Sequence, residues 1–274
     1  MAPLWGGAIM MNSQWRIGLE LHSSGLRAVG LQFRRQGWRL CRWWHLPFGS
    51  PGVEYTSGEF ARQAAQTLSH WRKSLPYRYQ LRVSVPAQRA LQQQVAMPDC
   101  TLPEPQLQRY IEQAAAAQLA LPDDPLAWDY MHPGTGPARV TGVRLRDIQR
   151  LVAILRSARL TASSISPDAS ALQSFLPRAQ GGDQWLVHRE PGHWLWAGGG
   201  QWGTEASTDP HWLAQWCQQR ELNPASVAFS SALAEDAARV TFSPWSGIPG
   251  LSAPLPPCAG VFTVATGLAL GSLR

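Results

Sequence analysis

Few residues of this chain could do chemistry, and most stand in the wrong surroundings for it. The run from Gly198 to Gly203 (GGGQWG) matches G-x-G-x-x-G, and Glu221 follows at a distance suited to a ribose contact. A dinucleotide site needs a helix opening directly from the glycines. Here the alternating WGTEAS and Pro210 come first, so the run predicts a hairpin turn. Lys73 is the only lysine and sits at a helix end in WRKSLP. Neither GxxxxGK[ST] nor GxSxG occurs, so a P-loop kinase or ATPase is excluded. His188 and His193 flank a hairpin turn without a cysteine or acidic partner at metal-ligand spacing. Asp123 and Asp124 lie between prolines and read as a turn. Asp168, in SPDAS, reads with Ser166 as a helix cap and not as a general base. No catalytic residue and no metal ligand is expected. In RRQGWRLCRWWHLP (34–47), arginines interleave with Trp38, Trp43 and Trp44, an arrangement able to stack bases and hold phosphates. A hairpin with an aromatic core face and an arginine surface face has the same pattern.

The elements that must position these residues repeat. Strands are expected at 16–21, 26–33 and 38–48, then a helix at 59–74 with Phe60, Ala64, Leu68 and Trp71 on one face, then a buried strand at 81–86. After an intervening segment, strands at 184–190, 194–197 and 202–207, a helix at 210–221 and a strand at 226–230 restart the series. Between the two runs, a helix at 105–120 turns Leu107, Ile111, Ala114 and Gln118 to one side. A turn at 122–125, strands at 126–131 and 138–145, and helices at 146–160 and 165–176 follow. The C-terminal stretch from Gly260 is a helix of small and apolar residues. A β-sheet-plus-helix unit occurring twice predicts a two-lobed α/β fold. Its expected divisions are 14–86 and 144–176 for the first lobe, 87–143 for an inserted α/β subdomain, and 177–274 for the second lobe.

The chain of 274 residues is 45% hydrophobic and only 15% charged, a globular composition that excludes coiled coils, collagen-like rods and disordered tails. No apolar run reaches the roughly 18 residues of a membrane-spanning helix, and MAPLWGGAIMMNSQW lacks the features of a secretory signal. Met10 and Met11 are alternative starts. Cys41, Cys100, Cys217 and Cys258 form no CxxC pair, as expected of reduced thiols in the cytoplasm. Charge is uneven: residues 1–82 hold 11 of the 24 Lys+Arg and 3 of the 18 Asp+Glu. That basic third could face nucleic acid, anionic lipid or an acidic partner.

The run IGLELHSSGLRAVGL from Ile17, followed by VSVP and MPDCTLPEPQLQRYIEQAAAAQLALPDDPLAWDY, resembles the PilM family of type IV pilus assembly proteins. SPDASALQSFLP, ATGLALG and the tryptophan-rich strands are similar to its HofM branch. The resemblance implies an actin-like (ribonuclease-H-like) fold related to FtsA. The first phosphate loop of the family, G-I-D-I-G-S-S-S-V-K, would correspond to Gly18–Arg27, where Ser23, Ser24 and Arg27 are kept, Glu20 replaces the aspartate and His22 replaces a glycine. The second, V-D-I-G, would correspond to Val187–Glu190, with His188 and Glu190 in place of aspartate and glycine. AFSSALAE (228–235) lacks the glycine pair of the adenosine side. The resemblance thus implies a degenerate nucleotide site, no ATP or magnesium cofactor, and a pseudo-ATPase. It further implies a non-catalytic cytoplasmic scaffold that binds the cytoplasmic N-terminal tail of a PilN/HofN-like membrane protein and is held at the inner membrane by that contact. The tail would enter between the first lobe and residues 87–143, near Arg109 and Tyr110. Nucleic acid is not expected as a partner, and weak self-association is compatible. An ATP-binding assembly protein or a DNA-binding accessory of DNA uptake are the other readings.

Overall fold

The computed structural model describes residues 14–50, 52–98, 100, 102–119, 125–131, 136–176 and 185–271. In chain order the strands are β1 (Trp15–His22), β2 (Gly25–Arg34), β3 (Gly37–Pro47), β4 (Tyr79–Val85), β5 (Ala90–Val95), β6 (Leu126–Met131), β7 (Ala138–Arg144), β8 (Ser164–Pro167), β9 (Trp185–Glu190), β10 (His193–Gly198), β11 (Gln201–Ala206) and β12 (Val227–Ser231). The helices are α1 (Gly58–Trp71), α2 (Glu104–Leu119), α3 (Leu145–Ser157), α4 (Asp168–Ala171), α5 (Trp212–Gln219) and α6 (Thr263–Leu270). Met10, Met11, Asp123 and Asp124 lie outside the described residues.

The first sheet has the order β3-β2-β1-β4-β8 and the second β11-β10-β9-β12. In both, an antiparallel three-strand meander is followed by a helix and a strand parallel to the first: β4 beside β1, β12 beside β9. The duplicated unit expected from the sequence is therefore present. A third sheet, β5-β7-β6, is antiparallel and carries α2.

Alternation along β1 sorts its side chains. Ile17, Leu19 and Leu21 pack with Phe60, Leu68 and Trp71 of α1 and Leu151 and Leu155 of α3. The opposite face, with Gly18, Glu20 and His22, looks away from α1 and α3. There α6 lies flat against the strand. A Cβ on Gly18 would come 1.9 Å from the Ala265 carbonyl oxygen, so only glycine lets the helix approach so closely. Residues 263–269 of α6 are all buried. Ala265 and Ala269 join Val29, Leu31 and Leu40 of the first sheet, while Val264 and Leu268 join Leu186, Leu195 and Ala197 of the second. A helix apolar all round is what two opposing sheets require.

Several expectations are corrected. Residues 165–176 do not form one helix: Ile165 pairs with Val83 in β8, and only Asp168–Ala171 is α-helical before a 3-10 turn. Burial of a fifth strand overrides the local cap signal of SPDAS. Asp168 accepts from the backbone N–H of Ala87 at 2.9 Å as well as from Ala169, and so ties α4 to the end of β4 instead of capping a long helix. The helix expected at 59–74 tightens into a 3-10 turn at Arg72–Ser74, and the one expected at 146–160 ends at Ser157. Gln118 is exposed and bonds Gln93, and Ala115 takes the buried position on α2. In β3 the register shifts opposite Gly30/Leu31. That bulge changes the parity of the strand, so Trp38, Leu40 and Trp43 pack toward Phe262 and Trp245 while Trp44 and Leu46 pack under α1. Neither face is purely arginine. The GGGQWG run forms the β10–β11 turn, with Gly199 and Gly200 at φ 54° and 72°.

Candidate functional site

The inner faces of the two sheets meet beside α6, and the polar side chains there come from matching strands. Glu20 and His22 project from β1, and Arg27 from β2 opposite Glu20. His188 and Glu190 project from β9 on the face of Leu186, while Val187 and Arg189 point the other way. The connecting turns, Ser23–Ser24 and Pro191–Gly192, bring both hairpins to this point, Gly192 supplying the φ of 87° that its turn demands.

The hairpins are joined by one buried network. Arg27 Nη1 donates to Glu190 Oε1 at 2.7 Å and lies 3.7 Å from Glu20 Oε2. His188 Nε2 is 2.9 Å from Glu190 Oε1. A carboxylate only accepts, so Nε2 carries the proton. In the neutral ring Nδ1 then accepts from Ser230 Oγ at 3.2 Å, and Ser230 Oγ meets Thr263 Oγ1 of α6 at 2.7 Å. His22 Nδ1 accepts from the Ser24 backbone N–H at 3.3 Å and meets Ser24 Oγ at 2.9 Å, which turns Nε2 toward Glu190 Oε2, 3.8 Å away. His188 is 0% and Glu190 1% exposed. Ser23 is half-buried in the turn and makes no side-chain bond among the described residues. Glu20 Oε2 and Glu190 Oε2 are buried without hydrogen-bond partners.

The charges balance inside this network. Burial pushes the Glu20 carboxyl up to about 8, against the pull of Arg27. Burial would raise Glu190 too, but Arg27 and then His188 outweigh it and hold that carboxyl well below the usual range. Arg27, despite burial, is held charged by Glu190 and Glu20. The Arg27 guanidinium therefore faces the Glu190 carboxylate, and burial favours the protonated form of Glu20 beside them. His22 is lowered to about 4, chiefly by burial, so it brings no positive charge.

Sequence reasoning gathered Glu20, His22, Ser23, Ser24, Arg27, His188 and Glu190 as counterparts of phosphate loops. The structure puts six of them in one network as partners of each other. It adds Ser230, which pairs with His188 across β9 and β12, and Thr263. It also adds a second buried pair, Arg189 with Asp236 at 3.1 Å, which Ser231 joins. These partners depend on strand register, which the sequence does not display. Among the described residues no group of three or more His, Cys, Asp or Glu is arranged to hold a metal ion.

Arg109 and Tyr110 stand on the outer side of α2, both exposed. They do not line the cleft that runs along this subdomain. That cleft, about 570 Å³, lies between the edge strands β5 and β11, with Gln92, Gln94 and Arg139 on one wall and Trp196, Trp202 and Thr204 on the other. Among the described residues no helix is long and apolar enough to cross a membrane.

Comparison with known proteins bears on this arrangement. No protein-family model matches the chain. It is 32% identical over 258 residues to the DNA utilization protein HofM of Escherichia coli (strain K12), covering 94% of this chain and 97% of that protein. Its fold matches that of the PilM-PilN type IV pilus biogenesis complex at a TM-score of 0.67 and 13% identity, over 93% of this chain and 97% of the other. The cytoplasmic domain of EpsL, an inner membrane component of the type II secretion system of Vibrio cholerae, matches at 0.58 and 13% identity, over 95% and 97%. Identity of 32% to HofM over nearly the whole of both chains establishes that this chain belongs to the PilM/HofM family of type IV pilus assembly proteins, and it has their actin-like fold.

Proposed function

We propose that this chain is a non-catalytic cytoplasmic scaffold of a type IV pilus- or DNA-uptake-type inner-membrane assembly. It binds the cytoplasmic tail of a PilN/HofN-like membrane protein and has lost the nucleotide site of its fold. The observation that carries the second half is the Arg27–Glu190 pair. Its residues correspond to the two phosphate loops, and the pair commits the Arg27 guanidinium to an internal carboxylate. A Mg-nucleotide does not fit these residues: Glu190 would oppose phosphate, His188 has both ring nitrogens engaged, and His22 is neutral. Closing the two hairpins with their own side chains leaves a fixed platform, which suits a scaffold better than a cycle of opening and closing.

The tail-binding half is supported by family membership and by the name of the PilM-PilN complex. We place the tail as an extended peptide against residues 87–143, at the border with the first lobe. Fluorescence titration with the N-terminal tail peptide of the neighbouring membrane protein tests this, with micromolar-range affinity expected of a docking contact, about −8 kcal/mol. Undiminished binding by a folded variant lacking residues 87–143 would overturn the placement.

A further inference from the structure

The first sheet and its two helices segregate charge along the strand direction. Parallel pairing of Trp15 with Tyr79 and of Arg82 with Ser164 puts the starts of β1, β4 and β8 at one end. Antiparallel pairing brings the β2–β3 turn to that same end. The helices agree: Arg150 of α3 bonds the backbone of Thr56 and Ser57 at the start of α1, and Arg72, just past α1, bonds the Arg159 carbonyl just past α3. Both helices therefore also finish at this end. The carboxylates of the lobe belong to the other end, where Glu59 and Asp147 start α1 and α3, and Asp168 follows β8.

What remains at this end is cationic. Arg72, Lys73, Arg156 and Arg159 are exposed beside the helix C-termini, where basic residues offset the macrodipole. That reason does not extend to Arg34, Arg35, Arg39 and Arg78, which are exposed on the strand side and have no ion pair among the described residues. Two aromatic residues accompany them: Phe33, 60% exposed, and Tyr77, 96% exposed. β2 and β4 flank β1, so the backbone strands that lead to these rings run two strand spacings apart, about 10 Å. Phe33 stands on a hairpin that runs past the Arg16–Leu31 pair, and Tyr77 on the loop entering β4. Tyr77 projects into solvent, while the Phe33 ring packs edge-on against Trp38 at 5.1 Å and exposes its outer side.

We propose that this end of the first lobe docks on an anionic lipid surface. Unpaired arginines meet the headgroups, and Phe33 and Tyr77 enter the interface between them. A cationic end that carries two exposed rings suits a plane of negative charge. The pocket beside the β2–β3 turn, about 360 Å³ and lined by Arg34, Trp38 and Arg39, offers a single aromatic ring, too little to stack the successive bases of a nucleic acid strand. The docking is independent of the tail-binding reading, since it needs no membrane protein.

Sedimentation of the full chain with vesicles tests it. On phosphatidylcholine with about 30 mol% phosphatidylglycerol in roughly 50 mM salt, the chain should co-sediment, and it should be released near 500 mM. On phosphatidylcholine alone it should stay in solution. Arg34→Glu/Arg35→Glu/Arg78→Glu should weaken binding more than about tenfold. Phe33→Ser/Tyr77→Ser should weaken it several-fold and leave salt sensitivity in place. All five positions are exposed, and an unchanged near-UV circular dichroism spectrum verifies folding. Failure to bind anionic vesicles overturns the proposal, as does equal binding by the charge-reversed variant. Binding of a single-stranded oligonucleotide without vesicle binding would make this a nucleic-acid face instead.

Discussion

The two sheets share strand order and connection but fill their outer faces differently. The first is covered by two helices, α1 of 14 residues and α3 of 13, and its core is mostly aliphatic. Among the described residues the second has α5 alone on its outer face, of 8 residues. Indoles fill that deficit. Trp194 stacks on Trp212 at 4.8 Å, Trp212 on Trp216 at 5.8 Å, and Arg220 lies 4.6 Å from the Trp196 ring and 4.9 Å from that of Trp216. One topological unit can thus be stabilised by helix area or by side-chain volume. The inner faces meet through opposite charges, Arg27 from the first sheet and Glu190 from the second, beside the α6 helix that packs against both.

The comparison can be broken at several points. The largest effect should come from Trp194→Ala, which removes a fully buried ring from the sheet with the least helix cover. It should cost about 3–5 kcal/mol, read from the midpoint of urea unfolding. Breaking the link between the sheets comes next. Arg27→Met leaves Glu190 buried and unpaired and should cost about 3–5 kcal/mol, while Arg27→Met/Glu190→Leu should recover a large part of that loss. Additive losses would mean that the pair does not couple the lobes. Gly18→Ala forces α6 away from β1 and should cost about 1–3 kcal/mol or more.

Protonation sharpens the same contrast. Glu20 and Asp168, raised by burial to about 8 and about 7, are favoured protonated in the folded state. Their stabilisation is full below the unfolded carboxyl value and is lost as pH rises toward those values. Glu190, lowered, acts oppositely: its contribution is present above the unfolded value and is lost only in acid. His22, lowered to about 4, costs stability as pH falls below its unfolded value. Stability of the native chain should therefore decline from about pH 5 to about pH 8 and level off above, and Glu20→Gln should flatten that decline. The smallest effect is at a helix start. Ser57 Oγ accepts from the Phe60 N–H at 3.0 Å, whereas α5 begins at His211 without a side-chain cap, so Ser57→Ala should cost about 1 kcal/mol.

The meanders and the repeat were legible because burial of one face leaves alternation in the sequence, as in Ile17, Leu19 and Leu21. β5 left no such trace: Gln92, Gln93 and Gln94 lie on an edge strand that faces a cleft. β8 was hidden by a helix-cap signal that sheet burial overrides. At the site, residue types could be read but pairings could not. Arg27 and Glu190 lie 163 positions apart, and only the facing of two sheets joins them. His188 finds Ser230 through a parallel register that no local pattern encodes. The basic excess of residues 1–82 was legible as a number. Its collection at one end of the lobe needed the strand directions.

Calorimetric titration of the purified chain with ATP and magnesium tests the central claim most directly. With Arg27 already neutralised by Glu190, the account predicts no heat beyond dilution up to about millimolar nucleotide, a binding energy weaker than about −4 kcal/mol, and no hydrolysis above background. Saturable binding at micromolar nucleotide, lost on Arg27→Met, would contradict it and make Arg27 a phosphate ligand.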